Sequence, residues 1–188
     1  MAQNTPNKTK QYDRYNEPGG FRYYAELERA ITALVVGGQP FEQASEPVRG
    51  IADRTKREHN LNGLTAFDRW RHGRKVEQYF APPAGVYPSP SGLLAVKLKP
   101  EFGMVERGAR KLVAVWNIAN AKLTPTVAGV GAHMMMQKLA IGPFSDCTCH
   151  VLDLQVGTLY SRISKDAQKL LQIEFATAED IIKRYDAA

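Results

Sequence analysis

The segment Leu93-Leu-Ala-Val-Lys-Leu-Lys-Pro-Glu-Phe-Gly-Met-Val-Glu-Arg-Gly-Ala-Arg-Lys-Leu-Val-Ala-Val-Trp-Asn-Ile118 contains two extended runs joined by a tight turn. Leu94, Val96 and Leu98 alternate with Ala95, Lys97 and Lys99, the pattern of a half-buried strand, and Phe102 to Val105 carries it past Pro100. Glu106-Arg107-Gly108-Ala109 supplies the turn. The return run from Lys111 is apolar without interruption from Leu112 to Trp116, as expected of a central strand covered on both faces. Thr124-Pro125 then reads as a helix cap followed by proline at the first helical position. Val127, Val130, Met134, Met135 and Leu139 form the apolar side of that helix, and Ala128, Gly129, Gly131 and Ala132 allow close approach to a sheet. Cys147 to Val156 alternates again and turns at Gly157. A hairpin, a crossover and a returning strand follow from this stretch.

Upstream, Tyr24, Leu27, Ile31, Leu34 and Val35 recur at helical spacing until Gly37-Gly38 and Pro40. Ser45 with Pro47 predicts a second helix running to Lys56, mostly charged on its surface. After a break at Asn60 to Gly63, Thr65 and Asp68 predict a third, carrying Phe67, Trp70 and Arg71 to about Arg74. Four prolines and two glycines between Ala81 and Gly92 exclude a helix or a central strand there. Downstream, Ser164 with Asp166 and Thr177 with Asp180 predict two closing helices.

The expected fold is α/β (α+β), with a central mixed sheet of about four strands and a helical N-terminal half. The predicted organisation is a flexible arm over 1–20, too polar to offset its ordering entropy, and one domain over 21–188. That domain comprises a helical layer (21–80), a Pro-rich connector (81–92), and sheet with helices (93–188).

The chain has 188 residues, 44% of them hydrophobic, which suffices for one domain with a core. Its longest apolar runs are far short of a membrane span, and residues 1–20 lack the apolar centre of a secretory signal, so the expectation is a cytoplasmic protein without a membrane partner. Cys147 and Cys149 are two residues apart, a spacing unfavourable to a disulfide, and His150 would face the other side of the strand. A Cys-x-Cys-His zinc site lacks a fourth ligand, so no metal site is predicted there. No Gly-x-Ser-x-Gly elbow, P-loop or dinucleotide fingerprint is present.

The formal charge is +6, and the surplus is concentrated: between Arg49 and Lys75 eight basic residues face three acids. Arg54, Lys56, Arg57, Arg69, Arg71, Arg74 and Lys75, with Trp70 as an aromatic platform, are the candidate nucleic-acid contacts. The alternative reading of the same residues is a solvated or protein-facing surface, with Trp70 a core anchor beside Phe67 and the arginines paired with Asp53, Glu58, Asp68 and Glu77.

Helices, a strand hairpin, a crossover helix and a further strand, together with Pro100-Glu101, resemble the restriction-endonuclease-like or PD-(D/E)xK nucleases over roughly residues 93–160. The resemblance implies a Mg²⁺-dependent site, with an acid on one hairpin strand and an acid-x-lysine signature on the next. Glu101 falls at the first position, but Val115-Trp116-Asn117 stands at the second. Gln137 is followed four residues later by Ile141, so the Gln-x-x-x-Tyr pair of some members is missing too. The expectation is therefore a non-catalytic protein on a degenerate nuclease-like frame, binding DNA or RNA or serving as a scaffold. Two alternatives stand beside it. One is an active metal-dependent nuclease or phosphodiesterase using Glu101 and Asp153, with Lys97 or Lys99 as the cation and Mg²⁺ as cofactor. The other is a structural or assembly subunit binding a protein partner or a second copy of itself, through Trp70 or Met134 to Met136.

Overall fold

A computed structural model describes residues 23–118 and 121–186; the predicted arm over 1–20 lies outside the described residues. Helices α1 (Ala25–Val35), α2 (Phe41–Arg49) and α3 (Arg54–His72) precede strands β1 (Val76–Phe80), β2 (Gly85–Pro88), β3 (Ala95–Leu98), β4 (Phe102–Glu106) and β5 (Ala109–Trp116). The crossover helix α4 (Pro125–Lys138), strands β6 (Thr148–Asp153) and β7 (Thr158–Tyr160), and the long α5 (Lys165–Asp186) complete the chain. The fold is α+β, with a mixed five-stranded sheet ordered β1-β4-β5-β6-β7 and a separate β2-β3 ribbon.

The antiparallel β4–β5 hairpin closes through Arg107 and Gly108, both at positive φ (53° and 71°), the left-handed pair that a two-residue turn needs to match strand twist. From β5 the chain crosses through α4, whose Thr124 side chain caps the Val127 N–H, and returns as β6 parallel to β5. Strand β5 is covered on both faces, as its unbroken apolar run requires. Val113 packs with Phe102, Met104, Leu152 and the residues of α1–α3, whereas Leu112 packs with Ala128, Ala132, Met135, Cys149 and Val151 under α4. The sheet is thus the middle layer between two helical layers.

The structure departs from the sequence expectations in four places. First, 76–80 is an edge strand antiparallel to β4 rather than part of the helical layer. Its alternation was masked because as an edge strand it buries little. Second, Ala95–Leu98 does not run on into the hairpin: Pro100 separates it, and β3 pairs with β2 from the Pro-rich connector. Third, 54–72 is one helix. Asn60, expected in a break, is fully buried and satisfied, accepting from the Leu27 N–H and donating to the carbonyls of Tyr23 and Lys56. The helix starts at the Asp53 cap, so the predicted run from Ser45 to Lys56 is split. Fourth, the two closing helices are one, because the Thr177 hydroxyl donates back to the Ile173 carbonyl inside the helix instead of capping a new one.

Candidate nucleic-acid interface

The candidate cations divide between the two ends of α3, about 27 Å apart at 1.5 Å rise per residue. At the N-terminal end each makes an intrachain contact, two of them with acids. Arg54 pairs with Glu58 at 2.8 Å, Lys56 pairs with Glu26 at 3.2 Å, and the Arg57 guanidinium donates to the Ile51 carbonyl.

The C-terminal end is different. Arg71 is bound to Asp68, and Arg74 forms a two-bond fork with Glu106 (both 2.8 Å), which also receives Lys111 at 2.7 Å. These two cations hold the buried Glu106 carboxyl well below the usual carboxylate range, down to about 2. Arg69 and Lys75 are exposed and have no acidic partner among the described residues. The register Val76↔Glu106 carries Lys75 to the same end of the sheet as the hairpin tip, where Arg107 is also exposed. Glu77 is engaged there by the Gly108 N–H. This end therefore gathers Arg69, Arg71, Arg74, Lys75, Arg107 and Lys111 against Asp68, Glu77 and Glu106. Arg107 and Lys111 were not among the sequence candidates, because their place beside Lys75 depends on the β1–β4 pairing.

Trp70 is half-buried in the core layer. Its ring stacks on Phe67 (centroids 5.8 Å, 26°) and meets Phe102 at 6.1 Å, while the Arg74 guanidinium lies 4.9 Å from its centroid. Intrachain neighbours already occupy the ring.

Glu101 lies just beyond the bottom of β4, where Pro100 turns the chain out of the sheet. Its N–H donates to the Val113 carbonyl, and its carboxylate accepts the Val115 N–H at 2.6 Å. The side chain thereby supplies the acceptor that the ladder loses when the strand leaves at Pro100. Burial, reinforced by the charge of Glu28, pushes this carboxyl up to about 8 despite the Val115 bond and Lys99. Glu28, Arg29, Thr32 and Lys99 line the roughly 310 Å³ cleft above it. Lys97 is not part of that lining.

Asp153 does not join this cleft. It is buried on β6 opposite Trp116, accepts the Gln155 N–H at 2.9 Å, and lies two and four residues along the strand from Val151 and Cys149, on the same face, which packs under α4. Glu101 opens instead toward α1, so the sheet separates the two acids. The residues do not fit the Mg²⁺ site that the nuclease resemblance implies. Val115 offers no ligand, Glu101 is bonded to a backbone amide, and among the described residues no three His, Cys, Asp or Glu side chains converge as a metal site.

Both cysteines are buried thiols under α4, and burial pushes Cys149 up to about 12. His150 faces the other layer, bonded to the Thr148 hydroxyl at 2.9 Å, and burial lowers it to about 4. Of the methionines considered for a protein contact, Met135 is buried and Met136 is exposed. Among the described residues, no helix is long and apolar enough to cross a membrane.

Comparison of the chain with protein-family models, curated proteins and solved structures finds no match in any of the three.

Proposed function

We propose that this protein binds a nucleic-acid strand through the cationic end formed by the last turn of α3 and the β4–β5 hairpin tip, on a nuclease-like frame that does not cut. The observation that carries this reading is the placing of Lys75 and Arg107 at one end of the sheet, both exposed, with Arg69, which has no acidic partner among the described residues, in the adjoining helix turn. Arg107 occupies a left-handed backbone position that glycine or asparagine fills at lower cost. An arginine at that position puts a charge at the tip despite this backbone cost.

The order of α3, β1, β4, β5, α4 and β6 supports the nuclease-like frame. The role of Glu101 as a substitute ladder acceptor supports the non-catalytic half of the reading. Phosphate contacts are salt-dependent because binding releases counterions. Anisotropy titrations of a single-stranded and a duplex oligonucleotide at two salt concentrations test the proposal. The double variant Lys75→Glu/Arg107→Glu is expected to weaken binding at low salt by at least about tenfold and to flatten the log–log salt slope by about 2. Equal affinity and equal slope in the variant overturn it.

A further inference from the structure

A second cavity, of about 260 Å³, lies between α1, α3, the end of β5 and the turn after β6. Its size is near the lower limit of ligand pockets, enough for one planar heterocycle. Its lining carries no formally charged side chain. Three carboxamides from three parts of the chain converge on it: Asn62 from α3, Asn117 from the end of β5, and Gln155 from the β6–β7 turn. Gln155 uses its amide N–H on the Ile118 carbonyl, 2.8 Å away, which fixes the side chain and leaves its oxygen available. Asn62 and Asn117 have no side-chain hydrogen bond among the described residues, so their donors and acceptors are unspent. Tyr24 and His59 provide flat walls, and His59 is held by the Tyr23 hydroxyl at 2.8 Å through Nδ1.

Gly63 explains how Asn117 reaches this position. A Cβ there would lie 2.5 Å from Asn117 Nδ2 and 2.8 Å from Leu27 Cδ2, so only glycine lets the amide rest against the helix. A glycine inside a helix is otherwise unfavourable. The pocket also shares a helical stripe with the cationic end: His59, Asn62, Ala66 and Arg69 follow one another at three- and four-residue steps. Arg69 is thus about 10 Å along the axis from Asn62.

Carboxamides are suited to nucleobase edges because they present a donor and an acceptor side by side, as the base does. Unstacked bases are read in this way, against aromatic walls. We propose that this cavity is a nucleobase pocket, in which Asn62, Asn117 and Gln155 read the edge of one base while Arg69 holds a neighbouring phosphate. The inference rests on the nucleic-acid reading for its strand-borne form, whereas a free nucleoside presents the same chemistry.

The test has two arms. In the first, adenosine, guanosine, cytidine and uridine are titrated separately into the full chain by calorimetry and saturation-transfer NMR. In the second, a single-stranded oligonucleotide is compared with the same strand carrying abasic positions. At least one nucleoside is expected to bind, with affinity falling at least tenfold in Asn117→Ala and in Asn62→Ala, and the abasic strand is expected to bind more weakly than the intact one. Both alanine variants remove surface or half-buried amides, so they preserve the core, and thermal melting confirms folding. Gly63→Ala, which displaces Asn117, should reproduce the loss. Nucleoside binding without strand binding supports the pocket and sinks the cationic-end reading. Strand binding that Lys75→Glu/Arg107→Glu weakens, with no nucleoside binding and no response to abasic positions or to Asn117→Ala, overturns the pocket alone.

Discussion

Strand β4 has a glutamate at each end, and the two behave as opposites. Glu106, at the hairpin end, is forked by Arg74 and joined by Lys111, so it stays ionised to about pH 2. Glu101, five residues earlier at the Pro100 end, has a backbone amide and the charge of Lys99 to favour its ionised form, and burial outweighs them, so it stays protonated to about pH 8. The difference shows that a buried carboxyl is defined by its partners rather than by its place in a motif. The acid at the Pro100 end repairs a ladder, while the acid at the other end organises the cations proposed to meet a ligand.

The largest effect is expected from breaking the Glu106 cluster. Glu106→Gln leaves Arg74 and Lys111 without their shared carboxylate and should cost about 2–3 kcal/mol in urea unfolding at pH 7, discounted from a fully buried pair because the arginine is partly exposed. A depressed folded-state pKa contributes stability above the ordinary carboxylate range and loses it as pH falls toward about 2. The wild type should therefore lose stability between about pH 5 and 2 more steeply than the variant does. Parallel pH profiles for the two proteins would miss this expectation.

Glu101→Gln should act in the opposite sense and by less. Glutamine keeps an oxygen for the Val115 N–H without an ionisable proton. A raised folded-state pKa contributes stability below the ordinary carboxylate range and loses it as pH rises through about 8. The variant should match the wild type near pH 4 and exceed it by about 1–2 kcal/mol at pH 8, allowing for screening through the open cleft. A variant less stable than wild type at pH 8 would assign Glu101 an ionised partner at neutral pH.

The hairpin, the crossover and the two-sided burial of β5 were legible because each rests on a local rule: a turn signal, a capped helix, an unbroken apolar run. What was not legible depended on partners distant in sequence. Asn60 reads as a helix breaker until Leu27 and Tyr23 satisfy it, and Thr177 reads as a cap until its hydroxyl turns back to Ile173. Strand β1 is too exposed for its pattern to stand out, and with it went the placing of Arg107 beside Lys75. Of the eight candidate contacts, those at the N-terminal end of α3 are held by intrachain acids and carbonyls. Trp70 is taken up by its neighbours, whereas Arg69 and Lys75 at the C-terminal end are exposed and have no acidic partner among the described residues. The amide pocket carried no motif at all, since Asn62, Asn117 and Gln155 are brought together only by the fold.

The claim that the Glu106 end binds while the Glu101 end is structural is tested most directly by one anisotropy experiment comparing Lys75→Glu/Arg107→Glu with Glu101→Gln on the same oligonucleotide, with Mg²⁺ present and cleavage followed in parallel. The account predicts that the charge-reversal variant loses affinity by at least about tenfold, that Glu101→Gln binds as the wild type does, and that no protein cuts. Cleavage by the wild type that Glu101→Gln abolishes, with binding unchanged in the charge-reversal variant, would contradict it.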